Sequence, residues 1–132
     1  MKLTSMAAAV GAAALLTGFP ALAHHSSAMF DRAKTVVLKG AIKEYQFVAP
    51  HSWISLIVPD DKGGEARWDI EGATASRMAA QGITPQRLRI GDKITVRAHP
   101  LRDGRNGGSL IDLTLEDGTV FVNNTTKLQV GQ

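Results

Sequence analysis

From about residue 34 onward, apolar and polar positions alternate along most of this chain, and a single stretch of helical character interrupts them. In 34–48, Val36, Leu38 and Ile42 share one parity while Lys39, Lys43 and Tyr45 share the other, which predicts a half-buried strand. Gly40 stands mid-strand, where glycine marks a bulge or a sharp bend. Glu44 breaks the parity beyond it, so this strand is expected to change face and serve two sheets, as a small barrel requires. Pro50 ends it. A second strand is predicted over 53–58 and a turn through Pro59–Gly64. A third follows over 65–71, with Ala66, Trp68 and Ile70 inward and Arg67, Asp69 and Glu71 outward.

The pattern then turns helical. Thr74 is a cap, 75–81 propagates and Gly82 stops, and Thr84-Pro85 starts one more turn through Leu88. Alternation resumes with Ile94, Val96 and Ala98 inward and Thr95, Arg97 and His99 outward. A loop over 100–108 leads to a fifth strand with Ile111, Leu113 and Leu115 inward. Asp117-Gly118 turns the chain into a short sixth strand over 119–122. The predicted class is all-β with one short helix, in the order β-β-β-α-β-β. That is the order of a small OB-like barrel of five to six strands; an open sandwich of the same strands is the alternative. No internal repeat or heptad pattern is present.

The first 23 residues read differently. Lys2, an apolar run from Met6 to Leu16, the breakers Gly18 and Pro20, and the small-x-small exit Ala21-Leu22-Ala23 form a secretory signal peptide. Its apolar run is too short to span a bilayer, and no second one follows. The predicted organisation is therefore a cleaved leader over 1–23, an N-terminal segment over 24–33, a barrel over 34–122 and a flexible tail over 123–132. The expected location is periplasmic or secreted.

Composition narrows the chemistry. The 132 residues contain no cysteine, which rules out disulfides, thiolate metal ligands and cysteine nucleophiles, so packing must hold an exported domain together. The formal net charge is only +3, and basic and acidic residues are interspersed rather than clustered, so no nucleic-acid partner is expected. No serine sits in a Gly-x-Ser-x-Gly elbow and no His-Glu-x-x-His helix is present, leaving hydrolysis without visible machinery.

Four short motifs carry a likeness: His24-His25-Ser26, Met29-Phe30-Asp31, Pro50-His51-Ser52-Trp53, and His99-Pro100-Leu101 with Gly107-Gly108-Ser109-Leu110. Together they resemble an uncharacterised family of small exported bacterial proteins, labelled only as a domain of unknown function. The resemblance runs from His24 to about Gly118. Family members usually carry an aromatic residue where this chain has Ser27 and an asparagine where it has Ala49. The resemblance implies export and domain type and supplies no reaction.

The candidate chemistry centres on histidine. Cleavage after Ala23 would leave His24 with its α-amine and imidazole side by side, a chelate suited to Cu(II), Zn(II) or Ni(II), with copper highest in intrinsic affinity. His25, His51 and His99 are the other candidate ligands, and Met29 offers a soft donor for Cu(I). Against this stand plainer roles: His24 and His25 as a polar chain start, His51 as a ring pinned to a backbone carbonyl, His99 as an exposed strand end. Tyr45 and Trp53 are candidates for an exposed ligand face, whereas Trp68 fits the core. Asp69 and Glu71, flanked by Arg67, read as a solvated salt-bridge row. The loop Asp103–Gly108 lacks the spacing of a calcium or phosphate loop.

The function these residues suggest is a non-enzymatic exported binding protein with a copper or other transition-metal site at His24. A protein-interaction module with a periplasmic partner is the alternative, and a small copper redox enzyme using the same site is the third reading. No oligomeric state follows from the sequence.

Overall fold

The computed structural model describes residues 27–123. After a 3-10 turn at Ser27–Met29 the elements are β1 (Val36–Gln46), β2 (Trp53–Pro59), β3 (Glu65–Glu71), α1 (Ala75–Ala80), β4 (Lys93–Pro100), β5 (Gly107–Leu115) and β6 (Val120–Val122). Among the described residues no helix is long and apolar enough to cross a membrane.

β1 does what its broken parity predicts. Its first half pairs antiparallel with β4 over 36–41, and its second half pairs with β2 over 41–46. Leu38 and Ile42 are buried. Gly40 lies at the crossover, where any Cβ would collide with the Ile57 carbonyl oxygen and crowd the Val58 side chain. The extra residue sits between Ile42 and Glu44, where the register shifts and later residues change face. β2 and β3 form a hairpin in which Leu56 opposes Trp68. In the connecting turn, Asp60 Oδ1 accepts from the backbone N–H groups of Lys62 and Gly64 at 2.9 and 2.8 Å.

The sheet order is β3-β2-β1-β4-β5-β6, and a parallel pairing of β3 with β5 closes the first five strands on themselves. This closure gives the OB-type barrel and excludes the open sandwich. β5 shares its second edge: β3 takes residues 107–109 and β6 takes 112–114. Between β3 and β4, α1 begins at Thr74, whose hydroxyl accepts from Arg77 N–H. Met78 buries itself completely, and the helix gives way to Gly82 at φ +80°. Ile83 and Leu88 complete that side of the core with Ile54, Ile70 and Val96.

Two expectations fail for stated reasons. Ile111 is not an inward residue in line with Leu113. Arg97 pairs Asp112 and Ala98 pairs Leu110, so Ile111 is the bulged residue and Leu110 takes the buried position beyond it. Asn123, assigned to the tail, is buried. Its Nδ2 donates to Leu110 O at 2.9 Å, its Oδ1 accepts from Ala73 N–H at 3.2 Å, and its backbone N–H donates to Ile111 O at 2.9 Å. It bridges the stretch of the β5 edge that neither β3 nor β6 covers. The rest of the predicted tail, 124–132, and the predicted leader lie outside the described residues.

Candidate functional site

The corner between β1 and β2 is tied down by backbone hydrogen bonds rather than by packing alone. Ser52, fully buried, donates its N–H to Ala73 O and accepts from Gly72 N–H, both at 2.8 Å. Val48 O accepts from Ala75 N–H at 3.0 Å. This lashing sets His51 over the end of β3. A Cβ on Gly72 would lie 2.9 Å from the Met78 Cε, so any larger residue there would make the Met78 side chain shift.

His51 Nδ1 lies 3.3 Å from Gly72 O and 3.2 Å from Glu71 Oε1. A carbonyl oxygen can only accept, so Nδ1 carries a hydrogen, and in that tautomer Nε2 is the nitrogen with the lone pair. The pinned-ring expectation for His51 is therefore met, and the pinning itself fixes which nitrogen can act as a ligand. His99 is held the same way. It is half-buried, and its Nδ1 lies 2.9 Å from Lys34 O, which again leaves the lone pair on Nε2.

Glu71 is the residue that reading the sequence misplaces. It does face outward, as its parity requires, but it does not join a solvated row. Its side chain is only 9% exposed; one oxygen faces His51, and Oε2 is buried with no hydrogen-bond partner among the described residues. Alternation along β3 carries no sign of this, because what covers Glu71 is the β1–β2 corner, brought over it by tertiary structure. Asp69 and Arg67 behave as expected: Arg67 Nε donates to Asp69 Oδ1 at 2.9 Å and the guanidinium also reaches Glu44 at 3.5 Å. The Asp69 and Glu44 carboxylates hold the Arg67 guanidinium pKa above its usual range.

Strand register gathers the remaining candidates into an outward row. Trp53 on β2 opposes Glu71, Ser109 on β5 lies beside Glu71, and His99 on β4 opposes Ser109. Two strand spacings, roughly 10 Å between Cα atoms, thus separate His99 from Glu71. Among the described residues no group of three or more His, Asp or Glu is arranged to hold a metal ion. His24 and His25 lie outside the described residues.

The paired Tyr45/Trp53 face does not exist. Trp53 pairs Gln46 on the outside of the sheet, whereas Tyr45 pairs the buried Ile54. Tyr45 packs against the core, donates its hydroxyl to Ile83 O at 2.9 Å, and meets Phe47 edge-on with ring centroids 5.8 Å apart. The bulge between Ile42 and Glu44 reverses the parity that would have placed Tyr45 outside. Trp68 packs against the core as expected.

Two further features complete the surface. The loop after β4 satisfies itself: Asp103 accepts from Arg105 N–H at 3.0 Å and from Arg105 Nε at 2.8 Å. An open trough of about 540 Å³ lies outside β1 where it leaves β4 for β2, with Ile57 and Leu115 in its lining beside Lys39, Lys93, Glu65 and Glu116. Two charges of each sign in that lining select no ligand charge.

A family model described as a family of unknown function (DUF6152) matches residues 13–110. No curated protein matches. Among solved structures, the chain is similar to the crystal structure of a mitochondrial single-stranded DNA binding protein from S. cerevisiae, Rim1. That similarity has 15% identity and a TM-score of 0.47, covering 63% of this chain and 94% of that one.

Proposed function

We propose that this chain, which belongs to that family of unknown function, is an exported, non-enzymatic binding protein for copper or a related transition metal. In this reading the leader over 1–23 is removed, the protein works in the periplasm or outside the cell, and the amine and imidazole of His24 supply one side of the site. His51 supplies the other through Nε2, with His25 and His99 as the further candidate ligands. The observation that carries the reading is the state of His51: Nδ1 is anchored to a carbonyl and a carboxylate, the arrangement that metal-binding histidines typically have behind the ligating nitrogen. His99, anchored on Lys34 O, supports it.

Charge supports the expectation that nucleic acid is not the ligand. On the outer face of β1 to β3, Glu44 and Asp69 engage Arg67, and Lys39 and Lys43 are exposed on β1, so the two signs are interspersed there and form no basic stripe for a phosphate backbone. The alternative of a protein-interaction module draws on one observation. The short strand β6 leaves Val120 and Val122 more than half exposed.

Calorimetric titration of Cu(II) into protein beginning at His24, beside a form extended by one N-terminal glycine, tests the site. The expected result is one-to-one binding by the first and much weaker binding by the second, because the added residue converts the chelating amine to an amide. Equal affinities, or no binding by either, overturn the proposal; specific capture of a periplasmic protein lost on charging Val120 and Val122 favours the interaction module.

A further inference from the structure

We infer that Asn106 and Gly107 form a self-modification site, where the Asn106 side chain deamidates with water as co-reactant, and that its product loosens the seam closing the barrel. This chemistry is independent of any metal at the histidines. The loop after β4 holds its first half firmly, since Asp103 accepts from both the N–H and the Nε of Arg105. Asn106 comes next. It is exposed, and its side-chain amide has no hydrogen-bond partner among the described residues. Gly107 follows as the first residue of β5, and a glycine leaves its own amide nitrogen unshielded by any Cβ. Leu101 N–H donates to Gly107 O at 3.0 Å, while Leu101 O takes Gly104 N–H at 3.4 Å and returns no bond to Gly107 N–H. Packing favours the bare glycine: a Cβ at 107 would lie 2.7 Å from Leu101 Cδ1 and 3.3 Å from Asp69 O, so a shielding side chain would have to displace Leu101.

The step needs no oxidant and no cofactor. Gly107 N gives its proton to solvent and attacks Asn106 Cγ. The new N–Cγ bond forms, the bond from Cγ to the side-chain nitrogen breaks, and that nitrogen takes up a proton and leaves as ammonia. Water then opens the cyclic imide at either carbonyl. Opening at Cγ restores an ordinary backbone with aspartate at 106. Opening at the α-carbonyl leaves the chain running through Cγ, one carbon longer, and turns the former backbone carbonyl into a free carboxylate. That carbonyl oxygen is the one that accepts from Asp69 N–H at 3.3 Å across the seam. The seam is short, pairing Asp69, Ile70 and Glu71 with Gly107, Gly108 and Ser109. An extra backbone carbon at the entry to β5 disturbs the register of all three pairs.

The test incubates the folded protein at mildly alkaline pH beside a synthetic peptide covering 103–109 and the N106Q and freshly prepared N106D proteins. Peptide mapping by mass spectrometry reads conversion, an isoaspartyl methyltransferase assay reads the lengthened product, and thermal unfolding reads the seam. Residue 106 converts in the folded protein no more than about tenfold slower than in the peptide, the factor imposed by giving up the one hydrogen bond from Asp69 N–H. Asn123, whose amide is held by Ala73 N–H and Leu110 O, stays intact. Tm falls as isoaspartate accumulates, by about 4–8 °C at full conversion, the shift expected for losing one hydrogen bond in a domain of this size. N106Q keeps its Tm through the same incubation, and fresh N106D melts with wild type because its backbone is unaltered. A folded protein that stays unconverted while the peptide converts, or a peptide that does not convert, overturns the site. Conversion with an unchanged Tm, or an N106D Tm as low as that of the aged protein, overturns the effect of the lengthened chain on the seam.

Discussion

Tyr45 shows how one residue's chemistry follows from the face it occupies. Burial pushes its phenol up to about 12 from an ordinary value near 10, since the charged phenolate would be poorly solvated beside the core. With the folded value above the unfolded one, the folded state keeps the proton longer. The associated stability is fully present below about pH 10 and is lost as pH rises toward 12. Urea unfolding across that range should show a downward slope that Y45F reduces; an identical slope in the variant would show that folding does not raise the Tyr45 phenol. At neutral pH, Y45F should lose the hydroxyl's bond to Ile83 O, worth about 1 kcal/mol. The histidines follow the same logic at this scale. His51 and His99 differ in sequence context, yet a backbone carbonyl fixes each ring through Nδ1.

At the level of elements, most of the architecture was legible in the chain. The β2 and β3 alternations, the Asp60–Gly64 turn, the Thr74 cap and the Gly82 stop all act within a few residues, so local chemistry was enough to place them. The bulges were harder. Gly40 and Glu44 announced a break in β1, but its exact place at Lys43, which turns Tyr45 inward, depends on the partner strand. The bulge at Ile111 gave no local warning, because Ile111, Leu113 and Leu115 are all apolar and fit an unbroken strand equally well. The short helix matters through one side chain. Met78 is fully buried and fills the space that Gly72 leaves open. M78A should therefore cost about 2–5 kcal/mol in chemical unfolding. A smaller loss would mean that the α1 segment can collapse into the gap.

Across the whole molecule, distant segments meet at one edge of β5 and at one corner of the barrel. Asn123 ties β5 to the residue pair after β3, using both ends of its amide. N123A leaves the buried Ala73 N–H and Leu110 O without those partners and should cost about 1–3 kcal/mol. Thermal unfolding of that variant checks it, and a loss under a few tenths would show that the bridge is dispensable. The same long-range assembly buries Glu71 beneath His51, while Phe30 bridges to Leu101 and Asp31 N–H donates to Pro100 O at 2.8 Å. These contacts bring residues 30 and 31 against the strand end that follows His99.

By itself the amino-acid sequence determined the order of strands and helix, and it offered, as expectations only, a secretory pattern in the first 23 residues and the histidines as candidate metal ligands. Periodicity, caps and turns carry that much because they act over a few residues. Tertiary structure decided which side of the barrel Tyr45 occupies, which nitrogen His51 and His99 present, and that Glu71 rather than Asp69 is the buried carboxylate. Each of these depends on register shifts or on a corner laid over a strand from elsewhere in the chain. Burial and hydrogen-bond direction are properties of that assembly, and alternation along one strand does not encode them.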